Sequence, residues 1–284
     1  MTRNINPVIN TFNGILRPFV YANFWVAGAV WALTRLTEFQ TTNWWEPESG
    51  SLASFNAAAT LVFYGFARLF ESPSPEGLQS KISKWREAMP RTSQLSMALG
   101  VAFMLVYWLF FGSWKLAGLY AAGLLIAALY PLPFILSRKG GGLRSIPGLK
   151  LFLIAGIWAY VTAGIPGIMA GNFSFEAVLE RFFWTAALTL PFDVRDMQVD
   201  AGSIKTIPHY IGQRTTITMA NFFLWLSFFF QVYYLEMPLA TMFGLYALFS
   251  TILLMTNTKF GDLYYSFLIE GLPFLLLGAW YLFA

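Results

Sequence analysis

The sequence predicts an all-α polytopic membrane protein, a bundle of nine transmembrane helices with a cytoplasmic N-terminus. Three observations predict this class. Hydrophobic residues make up 57% of the 284 residues, charged residues only 11%, and the mean hydropathy is +0.57. A soluble domain has about 25% charged residues. In addition, the chain contains nine apolar stretches of membrane-spanning length, and its basic residues concentrate on one side of them.

The nine stretches follow one another along the whole chain. A transmembrane helix needs about 20 mostly apolar residues. In order, the stretches lie near 15–36, 52–70, 93–112, 114–137, 149–170, 174–192, 215–235, 238–256 and 263–283. The first follows a polar start and lacks a small-residue cleavage site, so a span is predicted there and not a signal peptide. The connections are too short to hold a soluble domain, so residues 1–284 are predicted to form a single transmembrane domain.

The distribution of Lys and Arg predicts how the bundle is oriented. With the N-terminus in the cytoplasm, fifteen basic residues fall on the inner side and three on the outer side. The outer three are Arg35, Lys115 and Arg181. This is the positive-inside pattern, and it predicts an odd number of spans. The basic residues are expected to meet anionic lipid headgroups and not nucleic acid, and the long inner connections are expected to carry an active site that faces the cytoplasm.

Three carboxylates follow the sixth stretch in "TLPFDVRDMQVDAGSIKTI", at Asp193, Asp196 and Asp200. Steps of three and four bring them onto one face of a helix, with neighbouring Cβ atoms about 5–6 Å apart. Like charges at that distance repel unless a cation lies between them, and Mg²⁺ prefers oxygen ligands. The spacing therefore predicts a metal site for a phosphorylated ligand. The alternative is that these acids solvate a helix end and pair with nearby bases, namely Arg195, Lys205 or Arg214.

Several bases on the inner side are suited to bind a diphosphate. They are Lys150, Lys205, Arg144 and Arg138. Each could instead be an ordinary positive-inside residue, but Lys150 opens a predicted span and could turn into the bundle. Glu270 lies within the last span, where an acid is a functional candidate or else satisfies a buried hydroxyl. The chain has no Cys and one histidine, His209, which excludes disulfides, thiolate chemistry and multi-histidine metal sites.

Aromatic residues make up 19% of the chain, and many lie within the predicted spans. Aromatic faces stabilise cations, and an apolar cavity lined by them would keep water from a carbocation. The alternative for each ring is packing in the core or against lipid.

Taken together, these residues resemble the UbiA superfamily of intramembrane prenyltransferases. The stretches that carry the resemblance are "LPFDVRDMQVDAGSIKTIPHYIG", "LYPLP" and "LRSIPGLKLFLIAGIWAYVTAG". The resemblance implies a helical bundle with a large central cavity that opens laterally to lipid. It further implies that the chain binds an isoprenyl diphosphate through Mg²⁺, ionises it and passes the prenyl group to a lipophilic aromatic acceptor.

The resemblance also assigns residues. Asp193, Asp196 and Asp200 match the second Asp-rich motif of the superfamily, Lys205 matches the lysine that follows it, and Lys150 matches a span-opening lysine. The first Asp-rich motif belongs at the end of the second span, which here reads "TLVFYGFARLFES" and has no Asp. Either Arg68 and the other bases supply charge in place of that metal site, or the reaction differs, or activity has been lost.

Three functions are consistent with these residues. The first is a Mg²⁺-dependent prenyltransferase in which the three aspartates hold the metal and the bases hold the diphosphate. The second is a terpene cyclase of the same fold, in which the cation reacts with its own distal double bond. The third is a non-catalytic protein that binds or transports a prenyl lipid, which the missing first motif favours. Prenyl chain length, acceptor and oligomeric state do not follow from the sequence.

Overall fold

The structure, a computed structural model, describes residues 16–42, 52–69, 89–129, 148–200, 206–233 and 238–283. This part of the chain is almost entirely helical and includes no strand, which confirms the predicted all-α class for it. Residues 16–21 are helical, and longer elements follow. They are α1 (Phe24–Thr42), α2 (Leu52–Leu69), α3 (Pro90–Phe111), α4 (Trp114–Leu129), α5 (Leu149–Ala159), α6 (Ile165–Met169), α7 (Phe175–Asp200), α8 (Ile207–Tyr233), α9 (Leu239–Leu254) and α10 (Leu272–Phe283), with π-helical segments at Tyr160–Gly164 and Tyr264–Ile269.

Several of the described helices are suited to a lipid environment. Four stretches within the described ranges are long and apolar enough to cross a membrane, and they are Arg91–Phe111, Leu149–Met169, Ile207–Tyr233 and Tyr264–Phe283. The helix α3 exposes Leu105, Leu109 and Phe110, apolar side chains that a helix in water would bury. The chain is therefore a multi-pass membrane protein, while the count of nine spans and the cytoplasmic N-terminus stay predictions.

The core of the bundle lies between α1, α5 and the helices from α7 onward. The helix α7 packs along α8 and α5, and α1 packs against α2 and α10. Fully buried apolar side chains from different helices meet there, among them Leu33, Leu190, Leu224, Phe249 and Leu276. This packing fixes where the polar end of α7 lies relative to its neighbours.

Three irregularities in the helices have identifiable causes. Pro191 lies inside α7, two residues before Asp193, and cannot donate a backbone hydrogen bond. Pro166 likewise lacks an N–H, and the π-helical segment Tyr160–Gly164 immediately precedes it. Within α8, Gly212 has φ 80° and ψ 160°, a conformation open essentially to glycine only, so the first turn of α8 is set at an angle to the rest.

Candidate functional site

A group of charged side chains gathers where the C-terminal end of α7 meets the start of α5 and the segment before α10. It consists of Lys150, Asp193, Arg195, Asp196 and Ser266, and we refer to it as the acid–base cluster. Lys150 is the second residue of α5, which begins directly after Gly148 in a left-handed conformation with φ 79°. Ser266 lies in the π-helical segment Tyr264–Ile269. The cluster thus combines groups from three separate parts of the chain.

Asp193 forms an ion pair with Lys150. The Lys150 Nζ donates to Asp193 Oδ1 at 2.7 Å, and the Asp193 side chain is only 2% exposed. The Lys150 side chain is 21% exposed, so the ammonium reaches the carboxylate from the rim of the bundle. An acid that merely solvated a helix end would be exposed. The burial of Asp193 therefore sets it apart from that alternative.

Asp196 forms an ion pair with its neighbour Arg195. Arg195 Nε donates to Asp196 Oδ1 at 2.7 Å and Arg195 Nη2 donates to Asp196 Oδ2 at 2.9 Å, so the contact is bidentate. Burial lowers the pKa of Arg195, but Asp196, Asp262 and Glu270 together outweigh this effect and hold that pKa above its ordinary value. The Arg195 guanidinium therefore stays charged. This is one of the pairings that the alternative reading of the aspartates expected.

The π-helical segment Tyr264–Ile269 also contacts the Arg195 side chain. Arg195 Nη1 donates to Ser266 Oγ at 3.3 Å, and the guanidinium lies 5.0 Å from the ring centre of Phe192 and 5.7 Å from that of Tyr265. Glu270, singled out from the sequence, follows this segment and also contributes to the electrostatic environment of Arg195. Arg195 therefore links the C-terminal end of α7 to the last predicted span, 263–283.

His209 connects the start of α8 to the end of α7. The backbone N–H of Thr206 donates to His209 Nδ1 at 3.2 Å, so that nitrogen is an acceptor. The other nitrogen, Nε2, lies 3.0 Å from the carbonyl oxygen of Met197 and carries the proton that it donates there. His209 thus closes the connection that contains Lys205 and follows Asp200. His209 lies in the first turn of α8 and not in a loop, and its contacts position that turn against α7.

The remaining predicted site residues are described only in part or not at all. Lys205, Arg138 and Arg144 lie outside the described residues. Asp200 is the last residue of α7 and Arg68 lies near the end of α2, but only their backbones are described. The structure therefore brings together Lys150, Asp193 and Asp196 from the predicted set.

The donor atoms of the cluster are of the kind that Mg²⁺ binds. Asp193 and Asp196 are one helical turn apart on α7, and carboxylate oxygens are suitable ligands. Among the described side chains, no group of three or more His, Asp or Glu residues is arranged to hold a metal ion. Both described carboxylates are instead neutralised by a base. A metal ion would therefore fit here if a carboxylate of the cluster released its basic partner and bound the ion instead. Asp200 is the third acid of the motif.

A second charged pair lies at the other end of α7, and the sequence interpretation missed it. Glu180 and Arg181 are both fully buried. Arg181 Nη1 donates to the carbonyl oxygen of Leu33 at 3.0 Å, and Ser227 Oγ donates to Glu180 Oε1 at 2.7 Å. These contacts tie α7 to α1 and α8. The charge count treated Arg181 as an outer-side residue, whereas its side chain is fully buried inside the bundle. Two charged residues inside a predicted span were the signal that could have revealed the pair.

An apolar cleft of about 330 Å³ lies between α1 and α10. Its lining includes Trp31, Phe39, Phe274 and Tyr281, and Arg35 is its charged member. Phe274 packs on Trp25 with 4.8 Å between ring centres, and Trp25 packs on Phe267, next to Ser266, at 4.6 Å. These three rings form a row that runs from the π-helical segment Tyr264–Ile269, which also contains Ser266, to Phe274 in the wall of the cleft.

Other aromatic residues singled out from the sequence pack inside the bundle. The Trp184 ring lies 5.6 Å from Tyr246 and 5.3 Å from Phe249 in edge-on contacts, and the side chain is fully buried. Tyr107 packs against Phe55 at 4.9 Å. For Trp184 and Tyr107 the core-packing alternative is correct, whereas Trp31 lines the cleft.

In comparisons with known proteins, no family model matches the chain. No curated protein matches it significantly either. A functional proposal therefore depends on the motif residues and on the geometry of the acid–base cluster.

Proposed function

We propose that this protein is an intramembrane enzyme that binds an isoprenyl diphosphate at the acid–base cluster with Mg²⁺, and transfers the prenyl group to a lipophilic aromatic acceptor. The observation that carries the proposal is the ion pair between Lys150 and the buried Asp193. Removing a carboxylate from water costs free energy that one partly exposed base repays only in part, so the burial of Asp193 is weakly explained by stability. Ionisable groups within a membrane domain are functional candidates by default.

The chemistry of the cluster suits a diphosphate. Lys150 can exchange Asp193 for a phosphate oxygen, which frees a carboxylate of the Asp-rich motif to act as a metal ligand. Asp196 has further oxygen lone pairs, which it can offer to the metal while its hydrogen bonds to Arg195 remain. When bound, Mg²⁺ would neutralise the diphosphate and favour its departure. Lys150, together with Lys205, would hold the leaving diphosphate in place.

The cleft between α1 and α10 supports the choice of an isoprenyl substrate. Its walls are apolar apart from Arg35, and its volume of about 330 Å³ is within the range of small-ligand pockets. The row of rings from Phe267 to Phe274 would lie along the path of an apolar tail that starts at the cluster. Rings along that path would also stabilise a positive charge that forms there.

Variants of the motif test the proposal. Pyrophosphate release from geranylgeranyl diphosphate with Mg²⁺ and a membrane lipid extract is expected to fall by about 100-fold or more in Asp193→Asn and Asp196→Asn. Glu176→Gln is the matched control, because Glu176 is a partly exposed acid at the opposite end of the same helix. Full activity in both aspartate variants, with the control also active, would contradict the proposal.

We also propose that the acid–base cluster faces the cytoplasm, as the positive-inside pattern predicts. The chain has no Cys, so a single introduced thiol reports its own position without background. Arg214→Cys lies on the cluster end of α8 and Lys115→Cys lies at the start of α4, and both positions are exposed. In intact cells a membrane-impermeant thiol reagent is expected to label Lys115→Cys but not Arg214→Cys. The reverse pattern would place the cluster outside.

A further inference from the structure

Arg195 is held more firmly than an ordinary surface base. Its guanidinium makes two hydrogen bonds to Asp196 and one to Ser266, and it lies against the rings of Phe192 and Tyr265. Successive residues of a helix normally point in different directions, so the contact with Asp196 requires the long side chain to bend along α7. The Ser266 hydroxyl and the two rings fix the plane of the guanidinium in this bent position.

This arrangement leaves donors available. A guanidinium has five N–H groups, and the three hydrogen bonds use three of them. The Arg195 side chain is 20% exposed and the neighbouring Asp196 side chain is 26% exposed, so the pair opens to the surroundings. A planar guanidinium whose orientation is already set binds a phosphate group with little further loss of side-chain freedom.

We propose that Arg195 is a diphosphate-binding residue, which donates its remaining N–H groups to the phosphate oxygens of the substrate. This inference rests on the proposed function. In the absence of substrate, Asp196 neutralises Arg195 and keeps the guanidinium in place. When the diphosphate is bound, Arg195 lies between the Asp196 carboxylate and a phosphate, and Asp262 and Glu270 also contribute to its electrostatic environment. Arg195 was considered from the sequence only as a partner for the aspartates.

Binding of inorganic pyrophosphate with Mg²⁺ tests this role without any turnover. Calorimetry on purified protein in detergent is expected to show that Arg195→Lys binds pyrophosphate about 10- to 100-fold more weakly than wild type. Lysine keeps the positive charge but lacks the planar set of N–H donors that binds two phosphate oxygens at once. Arg214→Lys is the matched control. Arg214 is an exposed arginine near the same end of the bundle, and its variant is expected to bind as wild type does.

A second measurement on the wild-type protein covers the case in which Arg195→Lys does not fold. An arginine-specific dicarbonyl reagent, followed by peptide mass analysis, is expected to label Arg195 at least several-fold more slowly when Mg²⁺ and pyrophosphate are present. Arg214 is expected to be labelled at the same rate in both conditions.

The outcomes separate this inference from the proposed function. Wild-type protein that binds neither pyrophosphate nor geranylgeranyl diphosphate would overturn the proposed function, and the role of Arg195 with it. Wild-type protein that binds pyrophosphate, with equal affinity in Arg195→Lys, would overturn only the role of Arg195. The same holds if bound pyrophosphate leaves the labelling of Arg195 unchanged.

Discussion

Replacing Lys150 with methionine removes the partner of a buried carboxylate and keeps most of the side-chain volume. Asp193 is 2% exposed, so its charge would remain in the bundle after it loses the base that pairs with it in the described part of the chain. Removing one partner of a buried pair costs about 3–5 kcal/mol of folding free energy. The Lys150 side chain is 21% exposed, which lets some water reach the vacated position. We therefore expect a loss of about 3 kcal/mol, at the lower end of that range.

Replacing Asp193 instead of Lys150 is expected to lower the free energy of unfolding much less. In Asp193→Leu the flexible Lys150 side chain can move its ammonium outward to water, so the cost is about 1 kcal/mol. The double variant Lys150→Met, Asp193→Leu removes both charges together. Replacing a buried pair by apolar residues of similar volume is often neutral, so this variant is expected within about 1 kcal/mol of wild type.

Reversible unfolding in mixed detergent micelles measures all four proteins of this cycle. The expected order of stability places the double variant close to wild type and Lys150→Met far below both. The double variant is nevertheless expected to have lost binding of geranylgeranyl diphosphate, which separates the stability of the pair from its function. Lys150→Met with wild-type stability, or a double variant no more stable than Lys150→Met, would refute the reasoning.

Other contacts lead to further predictions. Glu180→Gln leaves Arg181 buried without a counter-charge and is expected to destabilise the bundle by about 3 kcal/mol, measured by the same unfolding assay with Glu176→Gln as control. His209→Ala removes the hydrogen bonds of the imidazole to Thr206 and to the Met197 carbonyl oxygen, and is expected to lower the free energy of unfolding by about 1–3 kcal/mol. Unchanged stability would show that these hydrogen bonds contribute nothing. Gly212→Ala forces an alanine into a glycine conformation and is expected to cost about 1–3 kcal/mol in thermal unfolding, whereas an equal unfolding temperature would contradict the observed backbone angles.

The sequence was sufficient to predict the fold class and most helix positions. Apolar runs about 20 residues long have few alternatives to helices in a membrane protein, because the backbone must satisfy its own hydrogen bonds in lipid. The spacing of the aspartates also predicted a helix beyond the apolar run, and α7 does continue to Asp200. The π-helical segment before Pro166 was not predicted, since one extra residue in a helical turn leaves no mark on composition or periodicity.

The partners within the cluster were less predictable. Lys150 was expected to be able to turn into the bundle, and it does reach Asp193. The contact between Arg195 and Asp196 was harder to foresee, because adjacent helical residues do not normally face each other. It depends on Ser266 and Tyr265, which are about 70 positions away in sequence and meet α7 only through the packing of the bundle. The burial of Glu180 and Arg181 was predictable in principle, because both charges lie inside the predicted span 174–192, but their partners Leu33 and Ser227 are distant in sequence.

The most direct test of the proposed activity is product analysis of the purified wild-type protein with Mg²⁺ and geranyl, farnesyl or geranylgeranyl diphosphate, with and without a membrane lipid extract. Prenyl transfer predicts pyrophosphate release only when the extract supplies an acceptor, together with a prenylated lipophilic product. Release without extract, with a cyclic or hydroxylated terpene, would instead identify a cyclase. No release in either condition would contradict the enzymatic account and favour a prenyl-lipid binding protein.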